Sequence, residues 1–207
     1  DTNDVYHWYK NTILAVYRRY GIMVDSVNPD VNERTADLDW IVEFAQRIRT
    51  DDTGFEGNGP DDANNGWVSD TERELFRRIK VITSDEEVTG TFAGDVLAVP
   101  EYLESMDVAA YHYSVEDDQD GNFTRLADEY DKEIWNSEAQ AVFSNSADRP
   151  NNTNGDGLTA AERDKAFSHA RASDSFGEYA NTGIGGQNGP LEMANTLIKG
   201  FVCSRRT

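Results

Sequence analysis

Two short β-prone runs end in a carboxylate: KEIWNSEAQ, Lys132 to Gln140, with Glu138, and SVNPDVNER, Ser26 to Arg34, with Glu33. A strand that stops at a glutamate sets that side chain at the carboxyl edge of its sheet, where barrels and open α/β enzymes keep their chemistry. Two such edges suggest one shared pocket. Hydrolysis of a glycosidic bond with retention needs one carboxylic acid to protonate the leaving oxygen and one carboxylate to attack the anomeric carbon, held roughly 5 to 5.5 Å apart. Glu33 and Glu138 are the candidate pair. The chain holds 39 acidic residues, so spacing alone does not single these two out.

The elements that must position them alternate in type. Residues 4 to 20 place Val5, Trp8, Ile13, Val16 and Tyr17 at helical intervals and close on Arg18, Arg19 and Gly21, a cationic last turn and a stop. Ile22 to Val27 reads as a strand with NPDVNER at its carboxyl end, and residues 39 to 48 return to the helical period. Thr50 to Val68, rich in Gly, Asp and Asn, is a long surface excursion. Ser69-Asp70-Thr71-Glu72 has the capping-box pattern and opens a helix through Arg78. Lys80 to Thr83 is a second strand, followed by SDEE. A helical connection runs from Phe92 to Glu104, a third strand from Asp107 to Tyr113, a brief helix from Phe123 to Tyr130 and a fourth strand from Glu133 to Asn136. Thr159 to Glu162 caps a helix to about Arg171, Pro190 opens another to Lys199, and Phe201 to Ser204 is a fifth strand. Strands alternating with helices imply parallel βαβ units and an α/β sheet or barrel. Five strands cannot close an eightfold barrel, which usually takes about 250 residues.

Composition limits the alternatives. The 207 residues suffice for one domain with a core and are short for two. An apolar fraction of 38% is low, yet 11% aromatic residues and four Trp argue for a globular chain. A formal net charge of -20 repels nucleic acid and anionic membrane surfaces, and it is compatible with a neutral glycan. Cys203 is the single cysteine, so no internal disulfide forms, and three scattered His give no metal-ligand spacing. No cofactor is expected. No apolar run approaches membrane-span length. Asn152, Asn154, Asp156 and Gly157 resemble part of a calcium loop, but the twelfth position is Arg163 where a bidentate carboxylate is needed. Gly183 to Gly189 follows no strand directly, which argues against a phosphate or dinucleotide loop. The chain begins at Asp1 without Met, so an upstream segment is expected, and a secreted or extracellular setting is favoured.

Several stretches, taken in order, resemble one family. Gly21 to Arg34 with Trp40, GIMVDSVNPDVNER…W, is similar to the fourth strand of the galactocerebrosidase family of glycoside hydrolases (family 59 or a close relative among the clan A retaining barrels), where the strand runs into an Asn-Glu pair. KVITSDE resembles the fifth strand, DVAAYHYS the sixth with its His-Tyr ending, and EIWNSEAQAVFSN the seventh. GGQNGPLEMANTLIKGFVCS resembles the following helix and the eighth strand. The resemblance implies a partial (β/α)8 TIM barrel, about strands four to eight, spanning residues 1–207, with the missing strands supplied by the rest of the chain. It implies Glu33 as acid/base and Glu138 as nucleophile of a β-galactosidase working by double displacement on a carbohydrate substrate. The alternatives are a related retaining barrel acting on β-1,6-galactan or glucosylceramide-like substrates, and a non-catalytic glycan-binding barrel.

Several further residues are candidates for substrate contact. Asn32 either hydrogen-bonds a sugar hydroxyl or caps its own loop. His112 and Tyr113 end a strand and either orient Glu138, touch the sugar or, as is commoner for a strand histidine, sit hydrogen-bonded in the core. Trp135 is either core or a sugar platform. Arg205 and Arg206 follow the last strand and either reach the pocket or are solvated. Val31 stands where the family usually carries an aromatic, and the segments Thr50 to Val68 and Ser144 to Gly186 are longer than the resemblance leads one to expect.

Overall fold

The computed structural model describes residues 1–32, 34–86, 91–112, 117–118, 120–138, 194 and 198. Helix α1, Thr2–Tyr20, starts under an Asp1 cap that accepts from the Asn3 N–H and stops at Gly21, whose φ of 71° is the left-handed conformation glycine adopts cheaply. Strand β1, Ser26–Val27, is shorter than the apolar run that precedes it. Ladder bonding begins only at Asp25, whose carbonyl accepts from the Lys80 N–H, and Ile22 is left exposed. Helix α2 spans Leu38–Thr50 with Asp37 as its cap, and α3 spans Asp70–Arg77 with Ser69 as its cap. Ser69 Oγ accepts from the Glu72 N–H as the sequence pattern predicts, but Glu72 does not return the bond. Its buried carboxylate takes Arg18 Nε and Nη2 and the Val68 N–H instead.

Strand β2, Lys80–Glu86, leads into α4, Phe92–Ala98, and α5, Pro100–Ser105. The single helical connection expected here is broken at Val99, because Pro100 cannot donate to the preceding turn and pushes Val99 into extended backbone. Strand β3, Val108–His112, α6, Asn122–Tyr130, and β4, Glu133–Glu138, complete the sequence of elements. Ala194 and Ile198 are helical, in keeping with the helix expected from Pro190, whereas the strand at Phe201 and the helix from Thr159 lie outside the described residues.

The four strands form one sheet in the order β1-β2-β3-β4, every neighbouring pair parallel. All four carboxyl ends therefore share one edge. Helices pack on one face in two clusters. Tyr6, Ile13 and Leu14 of α1 and Ile41, Phe44, Ala45 and Ile48 of α2 meet Val27 and Val81. Phe92, Val96, Phe123 and Leu126 from α4 and α6 meet Ala109, Tyr111 and Ile134. Phe44 is fully buried among three rings, Tyr6, Tyr9 and Trp40, each edge-on at 5.3 to 5.7 Å.

The excursion from Thr50 to Val68 lies against the helices at the amino edge. Lys10, fully buried, donates to Asp51, Thr53 and Glu56, and Arg18 donates to the carbonyls of Asn64 and Gly66. Phe55 and Gly66 exchange backbone hydrogen bonds across this loop. Gly54 faces that bridge, and a Cβ there would sit 2.6 Å from the Gly66 carbonyl carbon. The amino-edge placement follows from Arg49, which reaches Asp107 just ahead of β3.

Candidate active site

At the carboxyl edge, each strand end is fixed by its neighbours. Beyond β1 the chain enters a loop, and two aromatic residues hold it: Tyr9 Oη donates to the Asn28 carbonyl at 3.0 Å, and Trp40 Nε1 donates to the Pro29 carbonyl at 3.1 Å. Asn28 then links two strands, its Nδ2 donating to the Ser84 carbonyl of β2 and its Oδ1 accepting from the Asp30 N–H. Asp30 accepts from the Val31 N–H and lies half-buried. Burial pushes its carboxyl above the usual range, against the opposing pull of the Val31 and Asp37 N–H groups. This loop carries Asn32, which is exposed in a turn; Glu33 lies outside the described residues.

The remaining strand ends converge on His112. Between Thr83 and Glu86, β2 slips against β3, and Ser84 takes a φ of 69°. Between Tyr111 and His112 the register slips again, so that His112 pairs with Glu138. Such bulges redirect side chains. The outcome is a ring that is 2% exposed with His112 Nε2 at 2.6 Å from Asp85 Oδ1 and Nδ1 at 3.9 Å from Glu138 Oε2. Ser137 Oγ donates to the same Asp85 oxygen at 2.9 Å. A carboxylate only accepts, so the Asp85 contact requires the proton on Nε2 and turns Nδ1 toward Glu138. Glu138 itself is 42% exposed, open to an incoming group while its strand and the ring beside it are held.

The structure thus brings Glu138 and His112 together. Trp135 is half-buried and belongs to neither helix-facing cluster; its neighbour Ile134 makes that contact, and strand alternation sets Trp135 on the other face. Tyr113, Arg205 and Arg206 lie outside the described residues, as do the long segment after Ser144 and the calcium-like stretch around Asn152. Sequence reasoning did not single out Asp85, Ser137 or Asn28. The strand-end argument that selected Glu33 and Glu138 applies equally to Asp85 after KVITS, but the run SDEE offers three acids and no reason to prefer one. Among the described residues no group of three or more His, Cys, Asp or Glu could hold a metal ion, and no helix is long and apolar enough to cross a membrane.

A parallel sheet with helices on one face and polar side chains gathered at its carboxyl edge is an α/β architecture, and α/β proteins place their ligand sites at that edge. Along residues 1–207 the sequence matches Glycosyl hydrolase family 59, the galactocerebrosidase family, and the chain belongs to it. The family resemblance read from the strand-end motifs is therefore borne out. No curated protein matches the chain. Among solved structures it is similar to the crystal structure of SrfJ from Salmonella typhimurium, at 18% identity and a TM-score of 0.45, over 71% of this chain and 32% of that one. The chain thus spans about a third of that structure.

Proposed function

We propose that these residues form part of a retaining glycoside hydrolase acting on β-galactosides, within a (β/α)8 barrel of which the chain supplies about strands four to eight. Membership of the family supports the reaction class. The observation that carries the reading is the place of Glu138: a partly exposed carboxylate at the end of β4, beside His112, on the edge shared by four parallel strands. Chain-order neighbours with helices between them favour a singly wound sheet of the barrel type.

In this reading Glu138 attacks the anomeric carbon and forms a glycosyl ester as the bond to the leaving oxygen breaks and Glu33 delivers its proton there. Water then attacks the same carbon, Glu33 takes the water proton, and the ester bond to Glu138 breaks with the original configuration restored. Asn32, exposed near the end of β1, and Trp135, half-buried at β4, are the substrate contacts, joined by Tyr113 after β3.

The test is incubation of the full-length protein with 2-deoxy-2-fluoro-β-galactosyl fluoride, followed by peptide mapping. The expected result is a stable adduct on Glu138, absent in Glu138→Gln, and a loss of about 10²- to 10⁴-fold in kcat for Glu33→Gln. An adduct on another residue would remove the assignment. Glycan binding without turnover in the unaltered protein would favour a non-catalytic barrel.

A further inference from the structure

Asp85 has no place in the two-carboxylate mechanism, yet it is the residue on which the surroundings of Glu138 are built. The bulge in β2 places three residues, Ser84 to Glu86, against the two-residue step from Ala109 to Tyr111 in β3. Strict alternation would send Asp85 to one face only as long as the register held; the slip and the left-handed Ser84 turn it onto His112. One carboxylate oxygen then receives two donors, the imidazole Nε2 at 2.6 Å and the Ser137 hydroxyl at 2.9 Å. The first donor fixes the plane of the ring that packs beside Glu138, with Nδ1 at 3.9 Å from Oε2, a packing contact and not a hydrogen bond. The second ties down the residue that precedes Glu138 in its own strand. Both routes lead to the same side chain.

We propose that Asp85 is a positioning residue for Glu138, acting through His112 and Ser137; the inference rests on the reading of Glu138 as nucleophile. A histidine whose orienting carboxylate becomes an amide can adopt the opposite tautomer without leaving its place, and in the Ser-His-Asp triad that change alone costs about 10⁴-fold in kcat. Here the imidazole does not itself react, so the loss is that of a misplaced nucleophile, on the order of 10- to 100-fold.

The experiment uses the full-length protein and an aryl β-galactoside. Asp85→Asn is expected to lower kcat about 10- to 100-fold, with KM within about threefold, and to change the His112 tautomer seen by ¹⁵N NMR. Ser137→Ala keeps the Asp85–His112 contact and is expected to lose a smaller factor in kcat. A third arm uses Glu138→Gly rescued by azide, which replaces the side chain that Asp85 positions; adding Asp85→Asn to it is expected to change the rescued rate by less than about twofold, because residues acting as a unit are non-additive. A folded Asp85→Asn with unchanged kcat would overturn the proposal, as would an equal loss in the azide-rescued background. If Asp85→Asn does not fold, Ser137→Ala decides, and full activity there counts against it. Full activity in Glu138→Gln is a different result: it removes the nucleophile assignment itself.

Discussion

The indole Nε1 of Trp40, in the first turn of α2, donates to the carbonyl of Pro29 at 3.1 Å, so a helix that belongs to the core holds the loop at the carboxyl edge of the sheet. Tyr9 of α1 grips the preceding carbonyl, Asn28, and both rings pack edge-on against the buried Phe44. The loop from Asn28 to Asn32 is therefore positioned by aromatic packing two layers away. Trp40→Phe keeps an aromatic face toward Phe44 but deletes the N–H and part of the indole, leaving one carbonyl without its donor and a small void. The expected cost is about 1 kcal/mol of stability. Activity is expected to fall further than stability implies, about tenfold in kcat, because this loop leads straight into Asn32 and Glu33. Thermal melts and kinetics on the one variant separate the two effects, and an unchanged kcat would show that the loop is held without Trp40.

At the opposite edge, Lys10 is a fully buried cation satisfied by Asp51, Thr53 and Glu56, while Tyr6 donates to the same Asp51 carboxylate at 2.8 Å. Burial raises the proton affinity of Asp51, but the Gly54 N–H, the Tyr6 hydroxyl and the Lys10 ammonium together reverse the effect and hold its pKa below the usual carboxylate value. Burial, then the Asp51 contact, pushes the Tyr6 hydroxyl upward. Lys10→Met is expected to cost about 3 to 5 kcal/mol at pH 7, since it leaves a buried carboxylate without its cation. The sign of the pH dependence follows from the lowered pKa: the stabilisation from Asp51 is complete above the unfolded value of about 3.9 and is lost as pH falls through the lower folded value. The gap in Tm between the two proteins should be wide at pH 7 and narrow toward pH 3. A constant gap would mean that packing of the lysine stem, not its charge, supplies the stability.

How far the sequence discloses this molecule depends on the range over which each signal acts. The helix at Ser69 and the stop at Gly21 are legible because a cap is decided within four residues. The four described strands are legible because each is a short apolar run ending in polar residues. Pro100 was equally visible, yet its neighbours share the helical period on both sides, and the break it imposes at Val99 is hidden beneath that pattern. The site is legible only in part. Glu138 and His112 lie on strand ends and could be found there, whereas Asp85 depends on a register slip and on a left-handed serine, neither of which has a local signature. Ion pairs such as Lys10 with Asp51 join residues 41 apart, and in a chain with 39 acids no pairing rule selects the partner.

Asp30 gives the opposite pH behaviour to Asp51. Its pKa is raised, by burial first, with the Asp37 carboxylate adding to the shift against the N–H groups of Val31 and Asp37. A group with a raised folded-state pKa contributes its stability below the unfolded value, about 3.9, and loses it as pH rises through the folded value. The ionised form is therefore the unfavourable one in the fold. Asp30→Asn retains an oxygen for the Val31 N–H and never ionises. Relative to the parent, its Tm should improve as pH rises above about 4 and level off once pH passes the raised folded value. Parallel Tm curves for the two proteins across that window would show that the loop opens enough to solvate Asp30.

Ser84 is buried with a φ of 69°, in a region where an L residue with a Cβ is held at a cost of roughly 1 to 2 kcal/mol. The strain is maintained by what surrounds it: Asn28 donates to its carbonyl, and the residue after it is anchored on His112 and Ser137. Ser84→Gly removes the Cβ penalty but gives the unfolded chain more freedom, two effects of similar size, so Tm should move by only a few degrees. Kcat is expected to stay within about threefold, because Asp85 keeps its direction. Ser84→Val places a β-branched side chain in the same backbone state at a buried position, at a cost of about 1 to 3 kcal/mol. The cheapest relief is a return of β2 to regular register, which swings Asp85 off the imidazole. Stability and kcat should then fall together, and the ¹⁵N signals of His112 should change as they do in Asp85→Asn. A Ser84→Val protein with full activity and an unaltered His112 spectrum would show that the bulge is fixed by the ladder on either side and not by the residue at its corner.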